Sequence, residues 1–257
     1  MTPALFIVSV VGGFFSGLLG VGGAVILIPL LLYVPPWVGV GELTMHQVAG
    51  ITMVQVLAAT MAGYFVHRRG GFAHFRTIVT VGAPMGVFAL IGAAASKTMD
   101  ASVILLIFGG LLIIALAMLL IPASGAPDIE SKTVVYKPVT FAAVGCAVGW
   151  FAGIVGAGGG FILIPLMIRV LKIPIRVIIG SSLGILFLGA LAGAIGKSMT
   201  MQVPWPYLAP VIAGSIPAAL IGARISHAIP TQYIRYALIT VVCLTMLKTW
   251  HDIMTQW

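Results

Sequence analysis

The chain has 257 residues, of which 61% are hydrophobic and 7% charged, with a formal net charge of +8 and a mean hydropathy of +1.20. So little polar surface cannot cover a soluble domain, and apolar stretches recur from end to end, which excludes a single anchor carrying a water-soluble catalytic domain. The 13 Lys and Arg are scattered at segment ends with no run longer than Arg68-Arg69, a usage that fits membrane loops and the lipid bilayer rather than nucleic acid.

Eight apolar segments follow in order, over 4–34, 45–67, 75–96, 101–121, 138–171, 177–197, 204–227 and 231–250. No Lys or Arg precedes Arg68, so the amino terminus lacks the basic region of a cleavable signal and is expected to be retained. The first segment crowds Gly17, Gly20, Gly22 and Gly23 ahead of an apolar run carrying Pro29. The fifth repeats it as "GIVGAGGGFILIPLM", Gly153 to Met167, with 9 of 14 positions identical between Gly17–Leu30 and Gly153–Leu166. "FALIGAAAS" (88–96) matches "AALIGARIS" (218–226) at 6 of 9 positions, so the two matches keep their order. Such self-similarity marks a transporter built from structural repeats. The expected organisation is a first transmembrane repeat over 1–121, a cytoplasmic linker over 122–137 and a second repeat over 138–257.

Segments one and five are each about 30 residues, roughly 45 Å of helix, which exceeds a hydrocarbon core of about 30 Å. The glycines cut each near its middle, leaving two limbs of about 15 residues, each too short to span. Each segment is therefore one broken helix or a re-entrant hairpin, and charge chooses between them. If all eight segments cross, the basic residues divide 7 against 6. If segments one and five return to the side they came from, the division is ten against three, a positive-inside pattern. Each half then holds one glycine-broken, re-entrant element plus three transmembrane helices, and the odd number of crossings makes the two repeats inverted. Both termini are expected on the periplasmic side.

Irregular backbone at membrane depth is tolerated only where it is buried in protein or lines a polar cavity. The half-helices "AVILIPLLL" and "FILIPLMI" begin at free amides near Gly20, Gly22 and Gly23, and near Gly156, Gly158, Gly159 and Gly160, an arrangement suited to an anion. Two helix dipoles at up to about 2 kcal/mol each do not repay several kcal/mol of anion dehydration. Three to five charge-assisted hydrogen bonds at about 1.5–3 kcal/mol each close that gap. The competing reading is that Gly17-x-x-Gly20 and Gly153-x-x-Gly156 merely let helices pack closely.

The second segment of each half adds polar neighbours, Gly50, Thr52 and Gln55 in "GITMVQ" and Gly180, Ser181 and Ser182 in "GSSLGI". Their hydroxyls and amide either donate to an oxyanion or bond back to their own helix. Arg224, inside an apolar run, either reaches inward or snorkels to the interface. His46, His67 and His227 lie near segment ends. Glu42, Asp100, Asp128, Glu130 and Asp252 also lie at ends, which argues against a carboxylate cation site or acidic proton relay. Cys146 and Cys243 stand alone, arguing neither metal site nor disulfide, and are expected to be small buried hydrophobes. No nucleophile, paired carboxylates, metal cluster or cofactor motif occurs at working spacing, so the chain does not read as an enzyme.

The paired "GLLGVGGAVILIPLL" and "GIVGAGGGFILIPLM", each followed by a Gly-[Ile/Ser]-[Thr/Ser] segment, resemble the sulfite exporter TauE/SafE family of membrane permeases over nearly the whole chain. The first copy has Ile51 where the family more commonly has Thr. The resemblance implies transport of a small sulfur-containing anion, sulfite or an organosulfonate such as sulfoacetate, commonly by export across the bacterial cytoplasmic (inner) membrane. Alternating access between the halves is the expected mechanism, with an anion channel built on the same half-helices as the alternative. The small-residue faces suit a homodimer.

Overall fold

The computed structural model describes residues 1–19, 23–67, 74–120, 136–173, 175–226 and 231–256. These form ten α-helices: α1 (Thr2–Leu19), α2 (Ala24–Trp37), α3 (Met45–His67), α4 (Phe75–Ala95), α5 (Ala101–Leu120), α6 (Pro138–Val155), α7 (Gly160–Arg169), α8 (Ile175–Met199), α9 (Leu208–Ser226) and α10 (Thr231–Gln256). No strand occurs among the described residues. Within those residues six stretches are long and apolar enough to cross a membrane: Phe75–Thr98, Ala101–Leu120, Pro138–Val155, Ser181–Met199, Trp205–Gly222 and Tyr236–Thr255. The protein is an all-helical, multi-pass membrane protein. Most of the expected linker, over 122–135, lies outside the described residues.

Segments one and five are broken at their glycines, as expected. The limbs are 18 and 14 residues in the first copy, and 18 and 10 in the second. Each leading limb is therefore about 27 Å long; of the two, Pro138–Val155 of α6 is long and apolar enough to cross a membrane, which corrects the expectation that neither limb of the fifth segment can span. The reason lies in packing. Gly145, Gly149 and Gly153 recur every four residues along α6 and lie against Val81, Met85 and Ala89 of α4. A Cβ on Gly149 would stand 2.8 Å from Met85 Cα, and one on Gly153 would stand 2.8 Å from the Ala93 nitrogen. Lipid offers no hydrophobic gain for helix association, so close backbone approach supplies dispersion instead. The stripe carries α6 along α4 well beyond mid-depth.

The contacts fix helix directions. Positions 145, 149 and 153 of α6 meet 81, 85 and 89 of α4 in rising order, so the two helices run parallel. In the same way Gly214 of α9 faces Phe6 and Val10 of α1, and Gly222 faces Phe14 and Leu18. Gly184 and Gly196 of α8 face Ile78 and Leu90 of α4, again in rising order. The start of α3 returns to the end of α4, where His46 Nε2 lies 3.1 Å from both Ser96 O and Met99 O, so α3 runs against α4 and α8. Helix pairings also exchange when the halves are swapped: α1 with α9 becomes α6 with α4, α2 with α10 becomes α7 with α5, and α3 pairs with α8. Phe108 of α5 and Phe161 of α7 meet edge to face at 6.4 Å, anchoring the short limb.

The leading and trailing limbs fold back on one another. A Cβ on Gly12 would meet Leu27 Cδ1 at 2.8 Å, and one on Gly23 would meet Ser16 Oγ at 2.8 Å. Pairing 12 with 27 and 16 with 23 sets α2 antiparallel to α1. The second copy pairs Gly159 with Val148 and Ala152, at 2.7 and 3.0 Å. Cys146 and Cys243 are free and half-buried.

Candidate anion site at the second glycine turn

α6 ends because Gly156 adopts a left-handed conformation, φ 79°, while its N–H donates to Ala152 O at 2.8 Å. Gly158 and Gly159 follow at φ 63° and 74°, a backbone that a Cβ would strain. Ideal Cβ atoms there would also meet Val56 Cγ1 at 2.5 Å and Val148 Cγ1 at 2.7 Å, and at Gly156 the Cα of Ala49 at 2.5 Å. These glycines thus serve close packing as well as conformation. Residues 152–163 are all buried or, at Ile164 onward, partly so, which places the turn inside the protein. Gly159 lies 3.2 Å from Met85 Cε, measured from its ideal Cβ, and Met85 is the middle residue of α4. The amino end of α7 therefore sits halfway along a spanning helix.

Five successive amides, Ala157 to Phe161, donate to no acceptor among the described residues. The first carbonyl of the new helix, Gly159 O, instead accepts from Ile162 and Leu163 at 3.2 and 2.9 Å. The first copy reproduces this, with Gly23 (φ 65°) accepting from Ile26 and Leu27 at 3.1 and 3.0 Å. Gly20 and Gly22 lie outside the described residues, so the full amide set is described only for the second turn. Successive amides in left-handed turn geometry at a helix start form an anion-binding concavity.

α3 supplies the wall. Thr52 Oγ1 lies 2.9 Å from Gly156 O, 2.8 Å from Val48 O and 3.3 Å from Ala49 O, so its one proton serves backbone carbonyls and ties α3 to the turn. Gln55, one helical turn on and on the same face, is different. Its side chain is 0% exposed, and both carboxamide atoms lack any hydrogen-bond partner. An unpaired buried polar group costs about 1–3 kcal/mol, so this one asks for a ligand. Ser9 Oγ, Trp250 Nε1 and Asp252 Oδ2 are also buried and unpartnered, but they belong to α1 and α10 and not to this wall.

The other sequence-derived residues scatter. Gly50 packs on the 200–203 connection, where its Cβ would meet Gln202 O at 2.5 Å. Ser181 Oγ accepts from the His74 N–H at 3.1 Å, near the start of α4 and so toward the opposite end from Thr52. Ser182 is buried beside it, and Gly180 lies in α8 with its surroundings outside the described residues. Arg224 is exposed on the last turn of α9. The structure thus joins Thr52 to Gly156 and Val56 to Gly158, sets Gln55 one helical turn from Thr52 on α3, and leaves the Ser181 pair apart from them.

One residue escaped the sequence reading. Lys197, counted there as a charge at a segment end, is 0% exposed and donates to Ser96 Oγ at 2.6 Å, Gln202 Oε1 at 2.9 Å and Ile154 O at 3.1 Å. It makes no ion pair among the described residues. A signal existed, because the repeat offset of 130 sets Lys197 in register with His67, a basic residue at the same place in both halves. The buried acid Asp252 pairs with Lys248 on α10 at 2.9 Å.

The family model of the sulfite exporter TauE/SafE family matches residues 5–249. The chain is 30% identical over 215 residues to a "Probable membrane transporter protein" of Xylella fastidiosa (strain 9a5c), covering 83% of this chain and 80% of that one. It is 23% identical over 259 residues to a protein of the same description in Bacillus subtilis (strain 168), covering 93% and 95%. A further relative so described, from Methanocaldococcus jannaschii, is 23% identical over 254 residues, covering 94% and 92%. No solved structure matches the chain significantly. With the duplicated glycine turns, the buried amides and a family match that runs from α1 to α10, the chain belongs to the TauE/SafE sulfite exporter family of membrane transporters.

Proposed function

We propose that the protein exports a small sulfur oxyanion, sulfite or an organosulfonate such as sulfoacetate, from the cytoplasm by alternating access. The observation that carries this is the Gln55 carboxamide, buried and without partners, one turn along α3 from Thr52, which bonds to the turn that carries five unpaired amides. The oxyanion accepts from the Ala157 to Phe161 amides and from Gln55 Nε2. Charge-assisted bonds at about 1.5–3 kcal/mol each offset the loss of several kcal/mol of hydration without trapping the ion. The first turn, with Gly20, Gly22, Gly23, Ser181 and Ser182, forms the second half-site, and repeats 1–121 and 138–257 are inverted about it.

Support for inversion comes from direction. α4, α6 and α8 run parallel, and α9, joined to α8 by the short 200–207 connection, returns the other way with α1 alongside. α1 and α6 then start at opposite ends. With segments one and five re-entrant, the basic residues of the sequence divide ten against three, which supports a cytoplasmic linker and periplasmic termini.

The test is flux from proteoliposomes of purified protein. Saturable sulfite or sulfoacetate efflux, accelerated by the same anion on the opposite side, is the expected result. Flux linear in concentration, without such exchange, replaces the carrier with a channel on the same half-helices. No flux of either anion refutes the substrate class.

A further inference from the structure

Lys197 sits where a cation has an electrostatic reason to be. α4, α6 and α8 run parallel and end together at Ala95, Val155 and Met199, so three sets of terminal carbonyls converge. Each helix end carries roughly half a negative charge. The polar groups around the ammonium are all neutral: Ser96 Oγ, Gln202 Oε1 and Ile154 O, with Gln202 Nε2 turned to Ala93 O at 3.0 Å and Thr200 Oγ1 at 2.7 Å. All three ammonium protons have acceptors, so Lys197 has none to spare for a ligand.

Its consequence is felt at the glycine turn. The negative end of α6 and the positive end of α7 are separated only by Gly156 to Gly159, so at an anion held by the α7 amides the two dipoles oppose one another. The amides alone then stand in nearly neutral potential. Lys197 donates to Ile154 O, the carbonyl two residues before the turn, and in its ammonium form its charge outweighs that half charge. We infer that Lys197 is the residue that makes the second glycine turn electropositive, a positioning charge that sets affinity for the anion through space rather than by contact. This rests on the anion reading proposed above.

The magnitude depends on ligand charge, which a purely structural lysine does not. From Ile154 O to the α7 amides is on the order of 10 Å by helix geometry. At an effective dielectric of about 20, removing one unit charge at that distance weakens a monoanion about tenfold and a dianion about a hundredfold.

The experiment measures binding of methanesulfonate, a monoanion, and sulfoacetate, a dianion, to purified full-length protein by titration calorimetry. Wild type is compared with Lys197→Met and Lys197→Arg. The expected result is a loss of about tenfold for methanesulfonate and about a hundredfold for sulfoacetate in Lys197→Met, with the wild-type ratio of the two affinities restored in Lys197→Arg. Where the Met variant does not fold, Lys197→Gln, which keeps hydrogen-bonding capacity toward Ser96 and Ile154, carries the same comparison. Equal losses for the two anions, or none, overturn the inference and leave the anion reading standing. Failure of wild type to bind either anion overturns both.

Discussion

Gln55 offers a test in which stability and transport move in opposite directions. Gln55→Met replaces a fully buried carboxamide with an unbranched side chain of similar size and removes two polar atoms that have no partner within the protein. Each orphan costs about 1–3 kcal/mol, so the ligand-free protein gains at least about 2 kcal/mol. For a chain of this size that corresponds to a rise in Tm of about 4–8 °C, read by thermal unfolding in detergent without sulfonate or sulfite. Transport moves the other way. Loss of one hydrogen bond to a charged ligand, about 1.5–3 kcal/mol, raises the apparent KM for efflux about tenfold or more. Gln55→Glu sets a carboxylate at the same point and abolishes anion flux. A variant that is both less stable and fully active would show that Gln55 is held by the protein and meets no ligand, and the site would have to be sought elsewhere.

Thr52→Val leaves Gly156 O without its side-chain donor and lowers stability by about 1–3 kcal/mol, whereas Thr52→Ser, which keeps the hydroxyl, stays within about 1 kcal/mol of wild type; both are read as Tm shifts. Gly149→Ala drives a methyl into the Met85 backbone and costs about 1–3 kcal/mol by overpacking. Gly110→Ala, whose Cβ meets nothing within 4 Å, is neutral or stabilises by up to about 1 kcal/mol through helix propensity. Equal unfolding temperatures for the two alanine variants would remove the glycine stripe from the account of α6.

The sequence by itself determined the membrane class, the duplication, the two broken elements and the absence of acids from the middle of the spans. These follow from local composition and from self-comparison, which need no partner helix. It also named the second turn and Gln55, because a polar residue and clustered glycines inside an apolar run are conspicuous. What tertiary structure alone decided is what each glycine is for. A missing Cβ reads the same whether the space goes to a neighbouring backbone, as at Gly50 beside Gln202 O and Gly149 beside Met85, or the residue takes a left-handed turn against neighbouring side chains, as at Gly158 and Gly159. How far α6 reaches was undecided for a related reason. α6 is prolonged by its contact with α4, a long-range interaction that no local window contains. Lys197 was taken for a surface charge because its position near a segment end says nothing of the three helix termini that fold around it. Charge at an end is cheap in water and costly in a protein interior, and only the packing tells which of the two surrounds it.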